Sequence, residues 1–585
     1  MNCPAKTEPI LPDGHNQSPN DLCSDLTTRS DLGRMANARQ HRTHKLSDPA
    51  ESGDAEIITQ MDAAQPPDPG EISKADGAMS IRSTEKHTTN LSTSSPPPTE
   101  APAPFYRSWR QNTIKVLRTY LKFIGPGFMV SVAYIDPGNY ATDVAAGQSY
   151  RFKLLFMILL SNIFAIFLQS LCITLGTVTG LNLAQMTKAH CPPWLNYASY
   201  VFGESAIIAT DLAEVIGTAM ALYMLSNGKI PLVAGCAISI VDVLFILIFY
   251  RQDGVSMTAR RWFEFFVALL VLGVVICFCI QLSYIENVTP GEVFRGYIPS
   301  SALVESTGLY QACGILGATV MPHSLYLGSG LVQERLRDYD REHDLLSRDA
   351  GEEDEDESIL VVKYQPSLQA IRSCRWYSIV ECGVSLFTFA LFVNSAILIV
   401  AGASLYQGTD AGDASLFKIY DLLSESLAPA AGKLFAVALL LSGTSAGIVC
   451  TIAGQMVSEG QLNLKMKPWK RRLITRSISI VPAIIVAGAL GGPGVDKALV
   501  GSQVALSVIL PFVSAPLVWF TCRSKYMLVA EGPAGEETHG ANGATGSGVV
   551  NFRVHPITAC FAVLIWGVIV IMNVALLVLV GMGKA

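Results

Sequence analysis

Two hydrophobic segments of the sequence contain residues that could bind a cation at membrane depth. The first reads IDPGN at 135–139, and the second reads VMPH at 320–323. In each segment a proline lacks the backbone N–H and disrupts the preceding turn, so nearby carbonyl oxygens lose their helical donors. Asp136 adds a carboxylate, Asn139 an amide oxygen and Met321 a thioether. The oxygens alone would suit sodium, magnesium or calcium, whereas the thioether favours manganese, iron, cobalt or cadmium.

Two of these residues, Asp136 and Met321, also have a structural interpretation. A carboxylate at the bilayer centre costs about 2.5–3.5 kcal/mol on insertion scales, so a functional role is the first hypothesis for Asp136. The alternative is that Asp136 only caps a half-helix. Met321 taken alone would be a packing residue, and only its position beside the break makes it a ligand candidate.

Titratable residues near these segments indicate proton transfer. His323 follows the second break, and histidine titrates near neutral pH, as proton-linked transport requires. Asp211 and Glu214 are three residues apart and share one helix face, which predicts a proton relay. The alternatives are a packing histidine and acids ion-paired to Arg335 or Arg476. An arginine neighbour does not prevent a carboxylate from conducting protons.

The composition indicates a membrane protein. Of the 585 residues, 50% are hydrophobic and 15% are charged, whereas soluble domains carry about 25% charged residues. Apolar windows of about twenty residues recur, and they predict about eleven transmembrane helices in an all-α polytopic protein. The predicted spans are 120–149, 154–179, 196–226, 230–250, 262–283, 303–333, 376–403, 431–458, 473–491, 498–521 and 556–582.

Lysine and arginine predict the orientation. They concentrate in the connections that follow even-numbered spans, and such connections face the cytosol. The N-terminus is therefore expected in the cytosol and the C-terminus outside the cell or in a lumen. Asn287, in the sequon NVT, then lies on the outer side as a glycosylation candidate.

The remaining segments follow from composition. A polar, proline-rich tail cannot bury enough apolar area to fold, and it is expected to serve regulatory partners. We predict a disordered cytosolic tail at 1–104, a transporter core at 105–521, an acidic cytosolic loop at 334–373, a cytosolic loop at 522–555 and an additional helix at 556–582. No feature indicates nucleic acid, an enzyme or a resident cofactor.

The two interrupted spans lie five spans apart. Interrupted segments at matching positions of two halves indicate a transporter built from inverted repeats, with its substrate site at the midplane. The repeats would cover 120–283 and 303–521.

Several stretches resemble the natural resistance-associated macrophage protein (NRAMP) family of divalent metal–proton symporters, in particular its fungal manganese and iron transporters. They read AYIDPGNYATD at 133–143, DLAEVIG at 211–217, GATVMPH at 317–323 and AGQMVSEG at 453–460, with ITR at 474–476. The resemblance spans about residues 105–582. It implies a LeuT-like fold of five plus five helices with the first and sixth broken.

The resemblance also implies the roles of individual residues. The implied metal ligands are the side chains of Asp136, Asn139 and Met321, the backbone carbonyls of Ala133 and Ala318, and Gln503, which joins on occlusion. The implied proton route consists of His323, Asp211, Glu214, Arg335 and Arg476. Ser324 and Tyr140 depart from the common family pattern, and neither is expected to touch the ligands.

The expected activity is proton-coupled symport of manganese or iron, and also cobalt or cadmium, into the cytosol by alternating access. Plasma, endosomal and vacuolar membranes all fit. One alternative is a sodium-coupled amino-acid symporter of the same architecture, which would not need a thioether. Another is a metal sensor without transport. An intramembrane aspartyl protease using Asp136 and Asp211 lacks the sequence context of a catalytic pair.

Overall fold

The computed structural model describes residues 125–240, 257–285, 288–345, 364–406, 415–426, 429–462, 468–489, 491–530 and 548–583. Almost all of these residues are helical. The predicted tail at 1–104 and the glycosylation candidate Asn287 lie outside the described residues.

The first half of the chain forms eight described helices. They are α1 Pro126–Val132, α2 Pro137–Tyr150, α3 Leu155–Thr179, α4 Leu183–His190, α5 Pro193–Leu225, α6 Leu232–Ile238, α7 Met257–Ser283 and α8 Pro290–Arg295. A 3-10 turn at Ser301–Val304 precedes the second half.

The second half begins with another broken helix. Its described helices are α9 Ser306–Thr319, α10 Pro322–Glu342, α11 Leu368–Ser385, α12 Leu391–Ser404, α13 Leu416–Ser426, α14 Pro429–Leu462, α15 Pro468–Ala489, α16 Gly491–Thr521 and α17 Pro556–Gly581. One π turn at Leu386–Ala390 joins α11 to α12, and a 3-10 turn covers Ser524–Tyr526. The strands β1 Leu528–Ala530 and β2 Val549–Asn551 pair antiparallel, with Val529 opposite Val550.

Eight helices in the described part of the chain are long and apolar enough to cross a membrane, and Leu473–Ala489 is a shorter apolar helix. The two other predicted spans are the broken first helix and a fourth span that is described only as far as Ile240. The predicted fold class, an all-α polytopic membrane protein of the LeuT-like type with its first and sixth helices broken, is confirmed.

The distribution of side chains is that of a protein dissolved in lipid. Large apolar side chains lie exposed along α7 and α17, whereas carboxylates and amides lie buried between the helices. A buried polar group has no water to bind, so its partners must come from neighbouring helices. The interior of the bundle is therefore the place to look for function.

The predicted acidic loop at 334–373 is too long at both ends. α10 continues to Glu342, and α11 already begins at Leu368. The hydropathy window missed these turns because they are amphipathic. They pack through a small separate core that contains Leu336, Ala370 and Cys374.

Candidate metal-binding site and proton route

The first break places a carboxylate at the start of a half-helix. Asp136 has an extended backbone and precedes Pro137, the first residue of α2. Its carboxylate accepts hydrogen bonds from the backbone N–H groups of Gly138 at 3.2 Å and Asn139 at 3.0 Å. Asp136 therefore caps α2, as the structural alternative stated. A carboxylate has about four acceptor positions, so capping leaves capacity for a cation.

The second break has the same construction. α9 ends at Thr319, and Met321 precedes Pro322, the first residue of α10. In a continuous helix the N–H of residue 322 would bond to the carbonyl of Ala318, and that of residue 137 to Ala133. Proline has no N–H, so both carbonyl oxygens lack this donor.

One side chain joins the two breaks. The Asn139 amide donates to the Ala318 carbonyl at 3.2 Å, to the Tyr134 carbonyl at 3.2 Å and to the Asp136 carboxylate at 2.7 Å. Met321 lies at the second break and is fully buried. The structure thus brings Asp136, Asn139 and Ala318 together, and Met321 is three residues beyond Ala318 in the break.

Gln503 in α16 lies against both breaks. A Cβ added to Gly138 would collide with the Gln503 side-chain amide, and one added to Gly317 would collide with the Gln503 backbone carbonyl. Within the described residues the Gln503 side-chain oxygen is buried and accepts no hydrogen bond. This oxygen is therefore available to a cation at the breaks.

Sequence reasoning missed Asn394, which follows the π turn between α11 and α12. Its amide nitrogen is 3.3 Å from the Tyr134 carbonyl and 3.4 Å from the Asn139 side-chain oxygen. Its own side-chain oxygen has no hydrogen-bond donor in the described structure. The only sequence signal was an amide within an apolar run, and π turns often mark functional positions.

A second missed residue, Asp143, lies seven residues beyond Asp136 on α2. Seven residues are close to two helical turns, so both carboxylates share one helix face. Asp143 is fully buried, and neither of its oxygens accepts a hydrogen bond from the residues described. Asp143 is therefore a second buried carboxyl group on this face of α2.

A hydroxyl and amide network closes the site on the side of α1. The Tyr134 hydroxyl lies 2.9 Å from the Ser324 hydroxyl, and the Gln169 amide donates to both, at 2.8 Å and 3.0 Å. Ser324 also donates to the Met321 carbonyl at 2.8 Å. Ser324 therefore contacts the Met321 backbone, whereas the inferred ligand of Met321 is its thioether. With Asp136 and Met321 fully buried, the site is occluded.

The predicted proton-route residues form a second cluster on α5. Arg476 of α15 forms ion pairs with Asp211 and with Glu214, the latter at 3.5 Å. The Nδ1 atom of His323 lies 3.3 Å from the hydroxyl of Thr210, and Thr210 directly precedes Asp211 in the chain. His323, Asp211, Glu214 and Arg476 are therefore neighbours.

The same cluster has some features of a metal site. Asp211, Glu214 and Cys450 place one ligand atom each within 4.8 Å of one another. However, the Arg476 guanidinium already contacts both carboxylates. The cluster is consequently satisfied by a cation of the protein itself.

Arg335 of α10 contacts two residues of α11. It forms an ion pair with Glu381 of α11 at 2.7 Å and donates to the Ser378 hydroxyl at 2.8 Å. Its assignment to the proton route therefore stays a prediction. Arg335 lies more than three turns beyond Pro322 in α10.

Two helices are broken, and no lysine or arginine pairs with the buried Asp136 carboxylate among the described residues. These features define a membrane transporter of the LeuT-like class. The family model "Natural resistance-associated macrophage protein-like" matches residues 127–532. The chain belongs to this family.

Curated relatives and solved structures agree with this assignment. The chain is 54% identical to the manganese transporter SMF1 of Saccharomyces cerevisiae, over 72% of this chain and 75% of the relative. It is 50% identical to the manganese transporter pdt1 of Schizosaccharomyces pombe, over 82% and 89%. A crystal structure of the Eremococcus coleocola manganese transporter matches with a TM-score of 0.62 and 29% identity, covering 78% of this chain and 86% of that one. These relatives are transporters and not enzymes, as predicted.

Proposed function

We propose that this protein is a proton-coupled symporter that moves divalent transition-metal ions, foremost manganese or iron, into the cytosol. The observation that supports this proposal is the construction of the two breaks. Asp136, the Ala318 carbonyl and the Gln503 oxygen converge there, and the contacts of Asp136 are backbone N–H groups and an amide. A divalent cation would supply the missing positive charge.

The thioether of Met321 supports selectivity for transition metals. Calcium and magnesium prefer oxygen ligands, whereas a sulfur ligand favours softer ions such as manganese, iron, cobalt and cadmium. The names of the relatives, which include manganese transporters and the iron transporter SMF3 of Saccharomyces cerevisiae, agree with this substrate class. The cation is a substrate of the protein and not a resident cofactor.

Alternating access fits a site that is closed on both sides. Gln503 covers the breaks on the α16 side, and the Tyr134, Gln169 and Ser324 network covers them on the α1 side. With a cytosolic N-terminus, the α1 side is the exit. Metal would enter while Gln503 is withdrawn and leave after the network opens.

The proton would travel beside the metal and not through its site. A ligand carboxylate must be deprotonated to bind metal, so a proton on Asp136 has to leave. His323, one residue beyond Pro322, contacts Thr210, the residue before Asp211 on α5. We propose that His323, Asp211 and Glu214 form the path that accepts this proton. The integral membrane protein would act in the plasma, endosomal or vacuolar membrane.

The decisive experiment is manganese uptake into proteoliposomes at two external pH values, with calcium or free amino acids as competitors. Faster uptake at the acidic pH, resistant to both competitors, would support the proposal. Competition by amino acids would favour the amino-acid symporter, and binding without flux at either pH would indicate a sensor.

A further inference from the structure

Glu381 in α11 is a fully buried carboxylate that contacts the start of α1. Its Oε1 atom accepts backbone N–H bonds from Gly125 at 2.9 Å, Gly127 at 3.1 Å and Phe128 at 3.3 Å. The first N–H groups of a helix have no partner within the helix, and the N-terminal end carries a partial positive charge. A carboxylate from another helix therefore satisfies both requirements at once.

The other oxygen of Glu381 binds α10. Its Oε2 atom lies 2.7 Å from the Arg335 guanidinium, whose side chain is only 10% exposed. One carboxylate thus connects α1, which leads into the first break, with α10, which starts at the second. Both contacts are charge-assisted and lie away from bulk water, which makes them stronger than surface contacts.

The approach between α1 and Glu381 is as close as the backbone permits. A Cβ added to Gly127 would lie 2.8 Å from the Glu381 carboxyl carbon and 2.9 Å from the Cys382 backbone nitrogen. Glycine is therefore required at position 127 for the carboxylate to reach the helix end.

We propose that Glu381 and Arg335 are positioning residues that latch the cytosolic gate of the transporter. While the latch is closed, it holds α1 against α10 and α11, and it thereby keeps Tyr134 in the network that occludes the metal site. Opening toward the cytosol requires the N–H groups of α1 to leave Glu381. This inference rests on the proposed function, because it assigns these two residues a role in the transport cycle.

The test measures hydrogen exchange of the backbone amides in the peptide that covers 125–132, on full-length protein in detergent. The variants are Glu381→Gln, which keeps the shape and removes the charge, and Glu381→Ala, which removes the acceptor. The double variant Glu381→Gln with Arg335→Gln leaves no buried charge without a partner, so it guards against misfolding. Manganese binding and manganese uptake are measured on the same samples.

The matched control is Arg341→Gln, in the same helix as Arg335. Arg341 pairs with Asp338 at 3.8 Å, and its side chain is 67% exposed. Exposed pairs of this kind contribute little, so exchange in α1 should match the wild type. Arg335→Lys keeps the positive charge and should retain most of the protection.

We expect α1 exchange to become about tenfold faster in Glu381→Gln and faster still in Glu381→Ala, as loss of a charge-assisted contact predicts. Peptides from α3 and α5 should exchange as in the wild type. Manganese binding should persist, whereas the uptake rate should fall because the occluded state is less populated.

Unchanged α1 exchange in Glu381→Ala would overturn the latch, whatever the uptake rate. Faster exchange spread evenly over α1, α3 and α5 would also overturn it, because that pattern means general loss of stability. A wild-type protein that carries no manganese would instead overturn the proposed function, and the exchange data would remain interpretable.

Discussion

Two buried carboxylate clusters lie close together in the bundle and differ in whether the protein supplies a cation. Asp211 and Glu214 are paired with Arg476. The Asp136 carboxylate accepts hydrogen bonds from two backbone N–H groups and from the Asn139 amide, and no arginine or lysine pairs with it in the described structure. The acids on α5 are neutralised by a cation of the protein, whereas a buried carboxylate without such a partner can accept a cation from outside. This difference supports the proposal that Asp136 binds the metal and that Asp211 and Glu214 serve the proton.

The largest expected effect on transport concerns Asp136→Asn. Asparagine can still accept the N–H bonds at the start of α2, so the fold should remain, but the charge proposed to hold the metal is lost. We expect manganese uptake to fall by about 100-fold, as the loss of roughly 3 kcal/mol of charge-assisted binding implies. Manganese uptake into proteoliposomes measures the loss of transport, and thermal unfolding measures whether the fold remains. Wild-type uptake in this variant would remove Asp136 from the metal site.

The complementary variant is Arg476→Leu, which leaves two buried acids without their cation. Breaking a buried ion pair in this way costs about 3–5 kcal/mol of unfolding free energy. Adding Asp211→Asn and Glu214→Gln should restore much of the stability and leave proton coupling impaired. Thermal unfolding in detergent measures the recovery. If the triple variant is no more stable than Arg476→Leu, the acids do not depend on Arg476 for neutralisation.

Met321→Leu tests the contribution of the thioether to metal selectivity. Leucine keeps the side-chain volume at a small cost in stability, so that the change removes the sulfur alone. We expect discrimination of manganese against calcium to fall by about tenfold, because oxygen ligands alone do not exclude calcium. Uptake of manganese with calcium as competitor measures it. Unaltered discrimination would show that selectivity lies elsewhere.

The smallest effect concerns Asp340, a buried carboxylate satisfied by neutral donors. It accepts hydrogen bonds from the Tyr364 hydroxyl at 2.5 Å and from the Ser367 hydroxyl at 2.5 Å. Tyr364→Phe should lower the unfolding free energy by about 1–2 kcal/mol, because it removes one hydrogen bond to a charged group. A Tyr364→Phe protein as stable as the wild type would show that the remaining donors suffice.

The stability that the Tyr364–Asp340 hydrogen bond contributes should decrease at alkaline pH. Burial, and next the bond to Asp340, raise the pKa of the Tyr364 phenol above its ordinary value. The folded state therefore favours the neutral phenol. Its contribution is complete below about pH 10, the usual pKa of tyrosine, and is lost as the pH rises through the higher folded value. Unfolding midpoints measured in alkaline buffers should decline less steeply in Tyr364→Phe.

Sequence reasoning identified both breaks because proline within an apolar run has few explanations. It also found the pair Asp211 and Glu214 from their helical spacing. It could not choose between Arg335 and Arg476 as their partner, because either could reach an intramembrane acid from its position in the chain. That choice depends on how α10 and α15 pack against α5.

The sequence by itself determined that this is a helical membrane protein with two interrupted helices and a carboxylate, an amide and a thioether at the interruptions. These features are local, because hydropathy and proline chemistry act over one or two turns. Only the tertiary structure decided that Asn394 and Ser324 join the site, and that Glu381 binds both α1 and α10. Those contacts connect residues up to 260 positions apart, and they depend on helix packing that no short stretch of sequence specifies.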